Sequence, residues 1–422
     1  MFNVPKLRFG EFEGEWVEKR LKDYILSHKG GASLKPKDFV KKSNSEVIPK
    51  KAIVNNGKLN LDKENPTFCS DDFFKANQKS VIDNKYLITT LRDLVPSGPN
   101  IGYIVKNYFS KKFILAQGVY GLEINQELDE NFLILLSNRI EYRRVMQRIM
   151  VGSTQVHIRN KDFFSIKINL PTLQEQQKIA TYLTSIDKKI EQLNQKRTLL
   201  ESYKKGVMQK IFSQEIRFKR DDGGFFEDWE EKRLFDCFKE VLDFRGRTPL
   251  KMGMNWGNGN IISLSANNVK NGYIDFNTEC NLGSEELYEK WMGKVNLDKN
   301  DIVFTMEAPL GKALLIPDDR KYILSQRVVA FKTNEKINNK FLIQIIWSKK
   351  FQNEITKLST GSTAKGINQK SLKRVNIKLP QLAEQQKISN FLTSIDQKIT
   401  QNNQALEEIR AFKKGLLQQM FV

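Results

Sequence analysis

Arg245 and Arg247 in the run DFRGRTP, and Asn267 and Asn268 in SANNVKNG, carry forked guanidinium and carboxamide heads. Such heads make paired hydrogen bonds to the edges of guanine and adenine in the major groove. Both runs are rich in turn residues, so they read as loops. Loops of this composition also occur where nothing is bound, and the residues alone leave the choice open. A second group is cationic: Arg139, Arg143, Arg144 and Arg148. On a helix these spacings place much of the charge on one side, either as a phosphate-facing stripe or as a solvated outer face. A third group is written twice, as Gly152-Ser153-Thr154 and as Gly361-Ser362-Thr363 with Lys365 nearby. Backbone N–H groups and hydroxyls in such a turn suit phosphate, which positions a protein on a duplex without reading its sequence. A tight turn closing a domain is the other reading.

Catalytic constellations are missing from the chain. There is no Gly-x-x-x-x-Gly-Lys-Ser/Thr phosphate loop, and no glycine-rich turn in a strand–helix context suited to a nucleotide or S-adenosylmethionine. No two prolines are adjacent, which removes the Asn/Asp-Pro-Pro-aromatic motif of amino-methyltransferases. His28 and His157 stand in different settings with no cysteine at metal-ligand spacing. Pro317-Asp318 resembles the start of a metal-nuclease motif, but no Glu-x-Lys follows, so it reads as a turn.

Composition agrees with a binding protein. Lys and Arg number 69 against 49 Asp and Glu, a net charge of +20 that favours a polyanionic partner, nucleic acid before an acidic membrane surface. Cys69, Cys237 and Cys280 are scattered, which fits a reducing compartment. The opening residues lack the apolar stretch of a signal peptide, and no run of about 18 apolar residues suggests a membrane span.

The elements that must position these residues are repeated. Leu170–Phe212 aligns without a gap to Leu379–Phe421 at an offset of 209, and 23 of the 43 pairs are identical. The offset extends upstream: Gly102 meets Gly311, Leu115-Ala116-Gln117 meets Leu324-Ser325-Gln326, and the two Gly-Ser-Thr runs coincide. EWVEKRLKDYI at Glu15 also resembles DWEEKRLFDCF at Asp228. The order is leader, variable domain, helix, then the same again. Between the shared landmarks the variable domains diverge, as expected of one frame carrying two specificities.

Pro171 and Pro380 precede helical patterns. Ile179, Leu183, Ile186, Ile190, Leu193, Leu200, Val207 and Ile211 alternate in steps of four and three, interrupted by Arg197 and Lys204. The second copy runs through Ile388, Leu392, Ile395, Ile399, Leu406, Ile409, Leu416 and Met420, interrupted by Asn402 and Lys413. Each helix spans roughly 58 Å at 1.5 Å per residue, too long to hide its seam in a small domain. The expectation is that the two pack on each other; either direction satisfies the seams, and the expected packing is an antiparallel coiled coil, which gives a pseudo-twofold internal repeat. Off the seam, Glu175-Gln176-Gln177-Lys178 repeats as Glu384-Gln385-Gln386-Lys387. Matched outer faces suit two copies of one partner, so these eight residues are candidates for docking.

The variable domains read as mixed α/β. YLITTL, YIVKNYF and KFILAQ in the first, and NIISLS, DIVFTM, KALLIP and RVVAFK in the second, are strand-like runs between turn signals such as SGPN and NNG. One helix-like stretch follows in each, over Asn131–Met150 and Asn339–Leu358, and a last strand, SIKINLP or RVNIKLP, feeds the long helix. The expected class is α+β: recognition domains at 1–169 and 213–378, the second with a leader at 213–234, and helical spacers at 170–212 and 379–422.

The repeated LP-x-L-x-EQ-x-K-I…L…ID-x-KI block, each copy preceded by Gly-Ser-Thr and a short strand, resembles the repeated regions of type I restriction–modification specificity subunits. So does DW-x-x-x-RL at Asp228–Leu234 and, with Glu for Asp, at Glu15–Leu21. The resemblance covers essentially the whole chain; HKGGASLKP and NNGKLNL in the first domain follow it only loosely. It implies a cytoplasmic, non-catalytic subunit in which each variable domain is a target recognition domain reading one half of a bipartite site in double-stranded DNA. It further implies that the helices separate the domains and dock two modification subunits, joined by two restriction subunits. S-adenosylmethionine, ATP and Mg then belong to those partners, and this chain holds no cofactor. The competing reading is a stand-alone DNA-binding regulator whose helices serve dimerisation.

Overall fold

The computed structural model describes residues 3–55 and 57–422; Met1, Phe2 and Asn56, the second Asn of the Asn-Asn-Gly turn, lie outside the described residues. The chain divides into two units, Met1–Asn194 with Gln404–Val422, and Gln195–Asn403. The divisions fall inside both long helices, so each unit owns one recognition domain and a part of each helix.

In the first unit the leader strand Val17–Arg20 pairs antiparallel with Lys167–Leu170, the strand that feeds the long helix. Ile168 and Leu170 alternate inward from it, as a half-buried strand requires. A four-stranded antiparallel sheet has the order Ile25–Gly30, Val119–Ile124, Leu87–Thr90, Ile104–Lys106. A second sheet centres on Phe113–Leu115, with Val47–Ile48 parallel on one side and Val81–Ile82 antiparallel on the other. Helices Glu130–Ser137 and Ile140–Ile149 bury Phe132, Leu133, Tyr142 and Met146 against the four-stranded sheet.

The second unit repeats the frame. Glu230–Arg233 pairs with Asn376–Leu379. The four-stranded sheet runs Phe238–Leu242, Val328–Thr333, Ile302–Thr305, Ala313–Leu315. The smaller sheet keeps the parallel pair, here Ile261–Leu264 with Tyr322–Leu324. Its third strand, Leu282–Gly283, lies on the opposite edge from its counterpart, pairing with Ile261–Leu264. The chain feeding this edge, residues 31–86 in one domain and 243–301 in the other, shows no repeat in sequence, so topology diverges where sequence does.

Each helix-like stretch expected as one helix is two. The breaks fall at repeat-equivalent positions: Arg139 (ψ 148°) and Ser348 (ψ 146°) adopt extended backbone and begin Ile140–Ile149 and Lys349–Lys357. At the second break the cause is local, because the Ser348 hydroxyl accepts the Phe351 N–H at 3.3 Å.

The long helices are Leu173–Phe212 (40 residues) and Leu382–Gln419 (38 residues). Within the first unit Lys413 pairs with Asp187 at 2.5 Å, and Arg410 Nη2 donates to Asn194 Oδ1 at 3.3 Å. Advancing along one helix means retreating along the other, so these segments run antiparallel. Ile179, Leu183 and Ile186 share a core with Leu416, Met420 and Phe421. Within the second unit Lys204 pairs with Asp396 at 2.6 Å, and Ile211 shares a core with Ile388, Leu392 and Ile395. Lys204 and Lys413 are repeat mates, as are Asp187 and Asp396. The seam's two lysine interruptions are thus the same ion pair formed twice, with the aspartate the more exposed partner in each.

Candidate nucleic-acid interface

The junction between domain and helix holds the eight docking candidates. Glu175 is fully buried: Arg8 donates Nε and Nη2 to its two oxygens at 2.8 and 2.7 Å, and Trp16 Nε1 reaches Oε1 at 3.4 Å. Glu384 is buried too and accepts Trp229 Nε1 at 3.1 Å. Gln176 accepts the Asp129 N–H at 2.9 Å and donates to the Glu127 and Pro171 carbonyls. Gln385 accepts the Asn338 N–H at 2.8 Å and donates to the Lys336 and Pro380 carbonyls. Asp129 and Asn338 cap the repeat-equivalent helices Glu130–Ser137 and Asn339–Trp347. The repeated glutamate and glutamine therefore fasten domain to helix, and buried side chains with internal partners offer no outer face. This corrects the docking expectation for Glu175, Gln176, Glu384 and Gln385. Lys178 and Lys387 reach back to the leader acids Glu11 and Asp221. Gln386 accepts the Asn338 Nδ2 amide at 2.7 Å and stays exposed, and Gln177 is exposed.

In the second unit several candidate loops meet. Gln369 Nε2 donates to Asp243 Oδ2 at 2.6 Å, and Asp243 in turn grips the Arg245 Nε at 2.8 Å. Burial alone would raise the Asp243 carboxyl, but the hydrogen bonds from Arg245 and Gln369 hold it below its ordinary value. Glu307 pairs with Arg327 at 3.3 Å and forms a β-bridge with Gly366, just past the Gly-Ser-Thr turn. Gln326 Nε2 donates to the Arg247 carbonyl at 3.1 Å. Arg245, Arg247, Gln326, Arg327 and the turn with Ser362, Thr363 and Lys365 thus belong to one connected set. Ser362, Thr363, Lys365 and Arg245 are exposed; Arg247 is half-buried, with Nη1 on the Trp291 carbonyl and its guanidinium over Phe244. Asn267 is exposed beside a polar cleft of about 280 Å³ that Gln326, Arg327, Asn281 and Ser263 also line. A second cleft of about 370 Å³ shares Asn281, Ser325 and Gln326 and reaches Arg247 and Trp256.

Asn268 is not available to a base. It is fully buried, its Oδ1 accepts the Ser265 N–H and its Nδ2 donates to the Ser263 carbonyl, both at 2.8 Å. It shapes the loop that presents Asn267.

The arginine cluster of the first unit also splits. Arg139 is buried, with Nη1 on the Val422 carbonyl at 2.6 Å and its guanidinium over Phe421. Arg143 stacks on Tyr103 at 3.9 Å and holds the carbonyls of Pro99 (3.1 Å) and Ile101. Burial lowers both guanidinium groups from their ordinary value. Arg144 and Arg148 remain exposed and keep the phosphate reading. Ser153 and Thr154 are exposed in a turn whose ends bridge Val151 to His157. The turn demands its glycines: Gly152 (φ 114°) and Gly361 (φ 98°) would each drive a Cβ into a carbonyl three residues on. Val156–His157 then pairs with Arg92–Asp93, joining this turn to the loop that follows Asp93.

Gln326, its repeat mate Gln117 and Arg327 were missed as candidates by residue type alone. The repeated Leu-x-Gln run was the signal for the two glutamines. Among the described residues there is no cluster of His, Cys, Asp and Glu able to hold a metal, and no helix long and apolar enough to cross a membrane.

A family model described as the type I restriction modification DNA specificity domain matches twice, over residues 13–202 and 226–411. The type I restriction enzyme MjaVIII specificity subunit of Methanocaldococcus jannaschii is 32% identical over 356 residues, covering 82% of this chain and 80% of that one. The putative MjaX specificity subunit of the same organism is 25% identical over 429 residues, covering 98% and 95%. The type I restriction–modification S subunit from M. genitalium superposes with a TM-score of 0.60 over 99% of both chains at 16% identity, a likeness of fold. The chain accordingly belongs to the type I restriction–modification DNA specificity family, as a non-catalytic DNA-recognition subunit with two target recognition domains.

Proposed function

We propose that each recognition domain reads one half of a bipartite site in double-stranded DNA, and that the long helices form one antiparallel coiled coil fixing the distance between the halves. One observation carries this: a frame repeated at a constant offset presents two loop sets that do not repeat. In each domain the frame brings a Gly-Ser-Thr turn beside loops with exposed cations and amides. Arg245, Asn267, Gln326 and Arg327 in the second domain are the base-reading candidates. Ser153, Thr154, Ser362, Thr363, Lys365, Arg144 and Arg148 contact phosphates, which position rather than specify. The helix length corresponds to roughly 17 base pairs at 3.4 Å per pair, an upper guide to the site.

The same reading makes the chain the cytoplasmic scaffold of a larger enzyme. Two modification subunits dock on the repeated helix surfaces, with Gln177 and Gln386 on the exposed turns, and two restriction subunits join them. S-adenosylmethionine, ATP and Mg are assigned to those partners and none to this chain. Methylation mapping of DNA from cells carrying the chain with its modification subunit tests the reading. The expected site has two different specified halves, with modified adenines, separated by unspecified bases; a continuous site contradicts it. Native mass spectrometry of the complex should give two modification subunits per chain, and a single one contradicts the docking argument.

A further inference from the structure

The loop from Arg92 to Gly102 in the first unit differs in kind from its counterpart in the second. Its tip carries Leu94 and Val95, 64% and 48% exposed, followed by exposed Pro96 and Ser97. Two adjacent apolar side chains at a loop tip are a cost unless something covers them. The tip is nevertheless held firmly. Asp93 accepts the N–H groups of Val95 (3.1 Å) and Asn100 (3.3 Å), and the Gly98 N–H closes a turn on the Val95 carbonyl at 2.9 Å. Arg143 clamps the far side through the Pro99 and Ile101 carbonyls, and Gly98, at a positive φ of 53°, packs against the Met150 side chain. Arg92, at the base of the loop, is exposed, and so are Arg144 and Arg148 on the helix beneath it. The one acid within the tip, Asp93, is occupied by backbone amides. The loop is therefore an apolar knuckle on a rigid mount with a cationic rim. In the second unit the matching segment Glu307–Gly311 begins with an acid, and its Leu310 packs against the core.

We propose that Leu94 and Val95 are a wedge that enters the DNA of the half-site read by the first unit and partly unstacks one base step. This rests on the DNA-reading assignment above and adds to it. Apolar side chains inserted between base pairs, flanked by cations on the phosphates, are a known way to kink a duplex. A protein that kinks a step also favours sequences in which the step is flexible, without touching base edges. The wedge makes the two half-sites mechanically unequal: one is deformed, the other read by polar loops.

The experiment uses the full chain in complex with its modification subunits and a duplex carrying the site found by methylation mapping, with 2-aminopurine at successive adenine positions. The modification subunits extrude the adenine they methylate in each half, so those two positions are left unlabelled; the expected result is a rise in fluorescence at one of the remaining steps, in one half-site only, that disappears in the double variant Leu94→Ser, Val95→Ser. The variant should bind about tenfold or more weakly with an unchanged dependence on salt, since no phosphate contact is lost. Leu94→Phe should keep the signal, which separates wedge size from loop integrity. A double variant with wild-type affinity and fluorescence overturns the proposal. Loss of the modification subunits from the variant complex, seen by native mass spectrometry, overturns it in favour of a protein-docking knuckle. Failure of the wild-type complex to bind the mapped duplex overturns the DNA-reading assignment itself, and the wedge with it.

Discussion

At the root of the first long helix the Glu175 carboxylate meets the Trp16 indole and a two-pronged Arg8. At the root of the second, Glu384 keeps its indole partner, but the nearby Arg217 is spent on the carbonyls of Phe226 and Glu227 and on Asp228. Glu384 Oε1 has no side-chain partner, and burial raises its carboxyl above the ordinary value, opposed only in part by the Trp229 bond, the charge of Arg217 and the Phe218 backbone amide. The glutamines one residue on are matched bond for bond. The two copies agree where a hydrogen bond orients the domain on its helix and differ where an ion pair merely stabilises. Orientation is what a recognition frame must preserve in both halves; stability can be unequal.

The largest expected difference is between the two carboxylates. Glu175→Gln breaks a buried ion pair and leaves Arg8 with only the Glu13 and Gly14 carbonyls, at a cost of about 3 kcal/mol, read by urea unfolding. Glu384→Gln keeps an acceptor for Trp229 and removes a poorly partnered charge, so it should be near neutral at pH 7. Because the Glu384 carboxyl is raised in the folded chain, its favourable contribution is full below the unfolded carboxylate value and is lost as pH rises through the folded value. Glu384→Gln should therefore gain on the wild type between acid and neutral pH. Equal costs for the two variants, or the opposite pH trend, would contradict the difference between the two carboxylates.

A smaller effect sharpens it from the other side. Gln176→Ala and Gln385→Ala each leave the cap residue's N–H and two carbonyls without their partner, at about 1–3 kcal/mol. The two costs should agree to within about 0.5 kcal/mol, the scatter of independent sites. A marked inequality would mean that the glutamines do not share one role.

Much of this was legible in the sequence. The repeat exposed the frame, the helices and the Gly-Ser-Thr turns, because identity at a fixed offset survives without any knowledge of packing. The polar repeat was misread at Glu175, Gln176, Glu384 and Gln385, since repetition marks constraint and does not say whether the constraint faces inward or outward. Residue type misled in the same way at Arg139, Arg143 and Asn268, whose forked heads satisfy backbone carbonyls and amides that tertiary folding brings near. The edge on which the third strand joins each small sheet was illegible, because residues 31–86 and 243–301 have no shared pattern to compare.

Exchange of one domain separates the two half-sites. Residues 22–169 are replaced by the matching segment of another specificity subunit, and the methylated sites of cells carrying the chimera and its modification subunit are mapped. One half-site should change while the other half and its orientation persist. A change in both halves, or in neither, would contradict it.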